Sequence, residues 1–269
     1  MSPELITSSE MTFEEINSIL KNENILPDSS FGQNFLCNEE IISNIACLAD
    51  IKKTDKVLEI GPGIGSLTNA LCDLSDNVTC VEIDKRLADF LKNTYSGRAE
   101  IIIADFLKLK DYGASEFDVV VSNLPYYIMT DIMKKIISEC TGTGRLVFMV
   151  EDIAIGRITA KPNTKQYGPL SVLCSLYGDV KREFTVPRDA FIPRPNTTSA
   201  VITIKNNDFK GSHEFTSFVE KCFSQRRKKL VNSCPESAPY LEELGLNDNV
   251  RAQEMKPESF VSLYNAIIN

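Results

Sequence analysis

One histidine, His213, and no tryptophan occur in 269 residues. A lone imidazole excludes His–His ligand pairs and argues against histidine-based triads and most zinc sites. Long apolar runs are missing as well: no stretch approaches the roughly 18 consecutive residues of a membrane span. No two cysteines form a CxxC pair, although eight are present, at 37, 47, 72, 80, 140, 174, 222 and 234. Most lie in apolar runs such as Ile45-Ala46-Cys47-Leu48, which predicts buried free thiols in a reducing compartment. Internal repeats and low-complexity tracts are absent. The opening residues MSPELITSSEMTFEE are acidic and polar, the wrong character for a signal or transit peptide. The expectation is a soluble, cytoplasmic protein without a metal.

What is present is a globular balance, with 43% hydrophobic and 25% charged residues. That excludes wholesale disorder, and the length allows one or two domains with a core that needs no staples. The net charge is −8, but it is unevenly spread. Residues 181–230 hold eleven basic and five acidic side chains, a local +6 on an acidic body. A basic band of this kind suits a protein that meets phosphate on one face, although solvated surface charge would read the same.

Thr12-Phe13-Glu14-Glu15 is a capping box opening a short amphipathic helix to about Leu20, and Asn38 caps a second. The rhythm then changes. Short apolar runs at 56–60, 78–82, 101–104, 119–122 and 146–150 alternate with helical patterns at 66–74, 84–95 and 130–139. Strands of four to six residues separated by helices mean βαβ units and a parallel sheet covered on both faces. Runs at 180–186 and 200–204 predict an antiparallel pair closing the sheet. Beyond a boundary near 206–211 the pattern is helical, at 215–223, 240–244 and 258–268. The fold expected is α/β, a doubly wound, mostly parallel sheet over residues 1–206 with a small helical domain at 207–269.

The chemistry begins at Val57-Leu58-Glu59-Ile60-Gly61-Pro62-Gly63-Ile64-Gly65, an apolar strand running into G-x-G-x-G. Glycines let the backbone turn tightly and approach a ligand. The spacing is neither the dinucleotide fingerprint nor a P-loop, and Pro62 with acidic Glu59 suits a neutral or cationic nucleoside better than a pyrophosphate. Glu82 ends the next strand, 21 residues after Gly61, where a carboxylate can bind both ribose hydroxyls. Asp84 is more simply a helix cap. Asp105 follows the third strand and can accept from an adenine amino group, with Phe106 or Ile83 packing the ring; alone it also reads as a loop acid. Ser122-Asn123-Leu124-Pro125-Tyr126-Tyr127 closes the fourth strand in the same crevice. The Asn123 side-chain oxygen and a nearby backbone carbonyl can accept both hydrogens of an exocyclic amine, while Tyr126 stacks on the ring that carries it. Such acceptors localise a lone pair otherwise delocalised into the ring, which is what methylation at adenine N6 requires. On this reading Tyr126 contributes its face alone, so phenylalanine would serve in its place.

Asn-Leu-Pro-Tyr resembles the catalytic motif of S-adenosylmethionine-dependent adenine N6-methyltransferases, and Leu124 resembles the ribosomal RNA adenine dimethylase (KsgA) group. Four further segments agree in order. They are Phe31-Gly32-Gln33-Asn34-Phe35-Leu36; 161–172, which includes Gln166-Tyr167-Gly168-Pro169-Leu170; Phe191-Ile192-Pro193-Arg194-Pro195 with Ser199-Ala200-Val201; and Phe223-Ser224-Gln225-Arg226-Arg227-Lys228. The resemblance implies a Rossmann-like methyltransferase fold, S-adenosylmethionine as donor, and dimethylation of two adjacent adenines near the 3′ end of small-subunit ribosomal RNA by a monomer. It places Asn34, Leu36, Gly61, Gly63, Glu82, Ile83, Asp105, Phe106 and Asn123 around the donor. Asn123, Leu124, Pro125, Tyr126 and Phe191 fall to the adenine, and Arg226, Arg227, Lys228 and Lys229 to RNA. Asp28-Ser29-Ser30 stand where the family usually carries basic residues, which weakens the case for a basic N-terminal arm on RNA, and Asn196-Thr197 stand where it usually continues Lys-Val, which removes one expected phosphate contact. Two other readings share the scaffold: a large-subunit rRNA adenine methylase of the macrolide-resistance type, and a non-catalytic RNA-binding assembly or transcription factor.

Overall fold

The computed structural model describes residues 12–268, so the first eleven residues of the N-terminal segment read above for a leader lie outside the described residues. Helix α1 (Phe13–Asn22) opens on the expected capping box: Thr12 Oγ1 accepts the Glu15 N–H at 3.3 Å, and the Glu15 carboxylate accepts the Thr12 N–H at 3.0 Å. After the short strand β1 (Phe35–Leu36), Asn38 caps α2 (Glu39–Ala49) by accepting the Ile41 N–H at 3.0 Å. The phase of α2 turns Ile42, Ile45, Ala46 and Ala49 inward and leaves Cys47 exposed, against the expectation drawn from its apolar neighbours. Six cysteines are buried, Cys37 is half-buried, and all eight are free thiols.

The alternation then follows: β2 (Lys56–Ile60), α3 (Ser66–Leu74), β3 (Asn77–Glu82), α4 (Lys85–Thr94), β4 (Ala99–Ile103), β5 (Val119–Asn123), α5 (Met129–Glu139) and β6 (Arg145–Glu151). These five strands pair in parallel in the order β4-β3-β2-β5-β6. The helices α6 (Asp152–Ile158) and α7 (Pro169–Tyr177) precede β7 (Gly178–Val186), β8 (Phe191–Ile192) and β9 (Ser199–Asn206). β9 lies antiparallel between β6 and β7, which closes the sheet as expected. β8 pairs only with β1, setting Phe191 opposite Leu36.

Side-chain alternation divides the core. Val57, Val121 and Val147 face Ile45, Leu71 and Leu91 of α2, α3 and α4. Leu58, Val120 and Phe148 face Ile132, Met133 and Leu173 of α5 and α7. Both faces are covered, which is why these strands read as continuous apolar runs. The final segment comprises α8 (His213–Phe223), α9 (Leu230–Ser233) and α10 (Pro257–Ile268). Phe218, Val219, Phe260 and Leu263 from it join the α5–α7 cluster. The helix expected at 240–244 does not form. A 3-10 helix at Pro235–Tyr240 gives way to turns: after one helical bond, from the Leu244 N–H to the Tyr240 carbonyl at 3.1 Å, Gly245 turns to φ +66° and the Leu246 N–H closes back on the Leu241 carbonyl at 2.7 Å. No helix among the described residues is long and apolar enough to cross a membrane.

Candidate active site

The chain leaves β2 toward β3 and β4 on one side, then returns to place β5 and β6 on the other. The crevice over the carboxyl ends of adjacent β2 and β5 is therefore the topological switch point, where open α/β sheets bind ligands. A cleft of about 1000 Å³, open solvent included, lies there. Its walls bring together Asn34, Leu36, Gly61, Gly63, Glu82, Ile83, Asp105, Phe106, Asn123, Leu124, Pro125 and Tyr126 from segments distant in sequence. Phe191 is not in its wall but buried behind it, backing Leu36. Residues 226–229 lie elsewhere, in the turn between α8 and α9 rather than on a helix.

Gly61 adopts φ +66°, and a Cβ built there would meet nothing within 4 Å: the backbone leaves an open cradle at the strand end. At Gly65, φ +90°, a Cβ would lie 2.6 Å from the Tyr95 ring, whose hydroxyl donates to the Gly65 carbonyl at 2.9 Å. Glu82 is 4% exposed. It accepts the Gly63 N–H at 3.1 Å and the Asp84 N–H at 2.9 Å, yet burial pushes its carboxyl up to about 7. Glu59, also in the wall, is equally buried; it accepts Thr68 Oγ1 at 2.6 Å, and desolvation lifts it to about 7 as well. Two buried carboxylates, with no Lys or Arg among the described residues of the wall, fit a ligand that brings hydroxyl donors and positive charge. The hydroxyl of Ser66, first residue of α3, is buried without a hydrogen-bond partner and also lines the cleft. An orphan of this kind is a natural partner for a bound polar group.

Asp105 does two local jobs: Oδ1 accepts the Leu107 N–H at 3.0 Å and Oδ2 faces Lys108 at 3.1 Å. Of the two ring-packing candidates, Phe106 is buried and Ile83 is 44% exposed, so Ile83 offers the freer apolar edge. Asn123 donates from Nδ2 to the Asn34 carbonyl at 3.1 Å, which fixes the amide and leaves Oδ1 as its acceptor. Leu124 is itself buried, and its N–H continues the ladder to Met149. Among the described residues no backbone hydrogen bond of the surrounding turn ends on the Leu124 carbonyl, which leaves it available as an acceptor.

Sequence reasoning missed Gln33. Its Oε1 accepts the Asp28 N–H at 2.7 Å, and its Nε2 donates to Asp84 at 2.9 Å. Asp84 caps α4 through the Arg86 N–H as expected and also holds the Arg86 guanidinium at 2.6 Å. Gln33 thereby straps segment 28–34 across the rim. Only its place inside Phe31-Gly32-Gln33-Asn34-Phe35-Leu36 signalled it. Gln33→Ala is expected to weaken donor binding roughly tenfold, since a hydrogen bond to a charged group is worth about 1.5–3 kcal/mol. Calorimetric titration checks this, and an unchanged Kd would show that the strap contributes nothing to the bound state.

The chain is similar to known proteins over most of its length. The family described as ribosomal RNA adenine dimethylase matches residues 26–269. The chain belongs to the ribosomal RNA adenine dimethylase family. It is 39% identical to Ribosomal RNA small subunit methyltransferase A of Malacoplasma penetrans, with 80% of each chain covered. It is 35% identical to the protein of the same name from Levilactobacillus brevis, with 94% of each covered. In fold it is similar to a dimethyladenosine transferase from Plasmodium falciparum, at TM-score 0.72 and 24% identity, over 87% of this chain and 98% of that one. It is also similar to the 23S rRNA methyltransferase ErmE, at TM-score 0.59 and 25% identity, over 88% and 100%. The fold is thus the Rossmann-like methyltransferase fold, and S-adenosylmethionine is the methyl donor. The open cradle at Gly61, the orphaned Ser66 hydroxyl and the buried carboxylates suit a cationic nucleoside of this kind.

Proposed function

We propose that this dimethylase methylates N6 of two adjacent adenines near the 3′ end of small-subunit ribosomal RNA, acting as a cytoplasmic monomer. The observation that carries the chemistry is the Asn123 amide at the end of β5: its Nδ2 bond to the Asn34 carbonyl leaves Oδ1 as an acceptor in the wall of the cleft, with Leu124 beside it and the carboxylates of Glu59 and Glu82 in the same wall. The small-subunit assignment rests on the names of the relatives.

Bound S-adenosylmethionine supplies an electrophilic sulfonium methyl group. Glu82 receives the ribose hydroxyls, Asp105 and Ile83 take the adenine edge and face, and Gly61 and Gly63 admit the ligand against bare backbone. Asn123 Oδ1 and the Leu124 carbonyl accept the two N6 protons of the target adenine, drawing nitrogen toward a tetrahedral shape with its lone pair toward the methyl group. Tyr126 stacks on the extruded ring, and Pro125 fixes the turn that presents both. Phe191 backs the slot through Leu36. The nitrogen lone pair forms the new C–N bond as the sulfonium C–S bond breaks; positive charge passes to nitrogen and is discharged by loss of one N–H proton to water. Alignment and hydrogen bonding supply the catalysis. Extruding an adenine from a loop costs only a few kcal/mol. Mass spectrometry of ribosomal RNA from cells lacking the protein tests the assignment: the 3′ region of small-subunit RNA should lose both dimethyladenines. Loss of a mark from large-subunit RNA instead would overturn it.

The 207–269 segment supplies the RNA face in this reading, with an inequality in its basic run. Arg226 is half-buried and donates to the carbonyls of Lys165 at 2.8 Å and Thr164 at 3.1 Å, clamping that loop. Arg227, Lys228 and Lys229 are exposed. Replacing Arg227 and Lys228 with Ala should lower the log–log salt slope of subunit binding by about one to two, at roughly 0.7–0.9 per phosphate contact. Arg226→Ala should instead reduce thermal stability and leave the slope nearly unchanged. Salt titrations of subunit binding separate the two, and an unchanged slope in the double variant would move the RNA face elsewhere.

A further inference from the structure

Tyr126 does more than offer a ring face. Its hydroxyl shares a hydrogen bond with the hydroxyl of Ser199. Ser199 is fully buried and opens β9, held opposite Glu151 of β6 on one side and Val186 of β7 on the other. A side chain from the turn after β5 is therefore anchored at its far tip to a position fixed within the sheet. Stacking itself has no use for a phenolic hydroxyl, and this bond to Ser199 is the one it makes. At its root the ring is fixed by the Pro125 turn, where the Ile128 N–H donates to the Pro125 carbonyl at 3.2 Å. A ring held at root and tip has one plane; a ring held only at the root can swing about χ1 and χ2. Partial burial also raises the Tyr126 phenol above its ordinary value, keeping it a neutral hydroxyl that can donate or accept.

We propose that Ser199 is the positioning residue of the adenine slot, and that its bond to Tyr126 lets the enzyme complete the second methyl transfer on each adenine. The proposal rests on the reading above, in which Tyr126 stacks on the target base. The two transfers make unequal demands. In the first, N6 carries two hydrogens, and both acceptors, Asn123 Oδ1 and the Leu124 carbonyl, are used. In the second, one hydrogen has been replaced by a methyl group, so a single N–H remains to orient the nitrogen. The ring plane must then supply the alignment that the lost hydrogen bond gave, and a misplacement of about 1 Å in such a site can cost 10²-fold in rate. A swinging Tyr126 would tolerate the first transfer and stall the second.

Two variants break the same bond from opposite ends. Ser199→Ala removes the anchor within the sheet; Tyr126→Phe keeps the stacking face and leaves Ser199 in place, so the test survives if one variant folds poorly. Methylation of unmodified small subunits would be followed by mass spectrometry at saturating donor. Ser199→Ala is expected to slow the second transfer at least tenfold and the first less than threefold, so N6-monomethyladenine accumulates while donor Kd and subunit KM stay within twofold; Tyr126→Phe should show the same accumulation of N6-monomethyladenine, whatever its effect on the first transfer. The double variant should be no worse than either single one, because both remove one interaction. A purely structural tie would lower thermal stability and scale both transfers equally; that result, or multiplicative effects in the double variant, overturns the proposal. Tyr126→Ala separates this failure from failure of the underlying reading: if it too is fully active, Tyr126 does not hold the base at all.

Discussion

Asn123→Ala is expected to lower kcat by about 10²–10³-fold, the loss seen when one preorganised partner is removed from developing charge in an enclosed site. The nitrogen becomes positive as it attacks, so an acceptor aimed at its proton gains strength in the transition state. Asn123 is aimed in advance. Its Nδ2 bond to the Asn34 carbonyl selects one of the two amide orientations, and the opposite orientation would set carbonyl against carbonyl. Donor affinity should change by less than tenfold, because Glu82, Asp105 and the glycine turn stand on other strands. Asn123→Asp keeps an acceptor but turns the Nδ2 donor into a carboxylate oxygen against the Asn34 carbonyl, and it should be impaired as well. Single-turnover methylation at saturating donor and subunit measures this directly. A raised KM with kcat intact would mean that Asn123 merely binds the substrate.

The strand ends that build this site were legible in the sequence. Runs such as Val119-Val120-Val121 are short, apolar and bounded by helical patterns, and two of them end on the polar residues Glu82 and Asn123. A parallel sheet brings such ends to one edge, so the crevice followed from local patterning. Contacts between side chains far apart in sequence were not legible. Tyr126 and Ser199 are 73 residues apart, and Gln33 and Asp84 are 51 apart. No periodicity announces either pair. The helix α7 escaped notice for a different reason: Leu170, Val172, Leu173 and Cys174 are all buried, so it has no polar stripe to mark its period. The basic run looked uniform because charge was counted without partners, while Arg226 is engaged by two loop carbonyls that only the fold brings within reach.

Donor binding should depend steeply on pH below about 7, through Glu82. Burial raises its carboxyl from the ordinary 4.5 to about 7, so in the free protein at pH 6 it is mostly protonated. Receiving two ribose hydroxyls requires the ionised form, since a carboxylate accepts and a carboxylic acid must donate its own proton. Binding at low pH therefore expels a proton, and the apparent Kd should rise up to tenfold per pH unit below about 7 and level off above it. The same shift has an opposite consequence for the free protein. A raised folded-state value means stability that is fully present below 4.5 and is lost as pH rises toward 7, roughly 3 kcal/mol at most for each of Glu82 and Glu59. The free protein should thus weaken over the pH interval in which donor binding tightens, and the donor should protect it most above pH 7. Glu82→Gln separates the two buried acids. It should raise the stability of the free protein at pH 8, weaken donor binding there by at least tenfold through loss of a charged acceptor, and flatten the pH profile of binding. Calorimetry from pH 5.5 to 8.5, in buffers of different ionisation enthalpy, counts the protons released. A steep profile that persists in Glu82→Gln would assign the proton to Glu59, and a flat profile in the unaltered protein would mean that Glu82 is already ionised before the donor arrives.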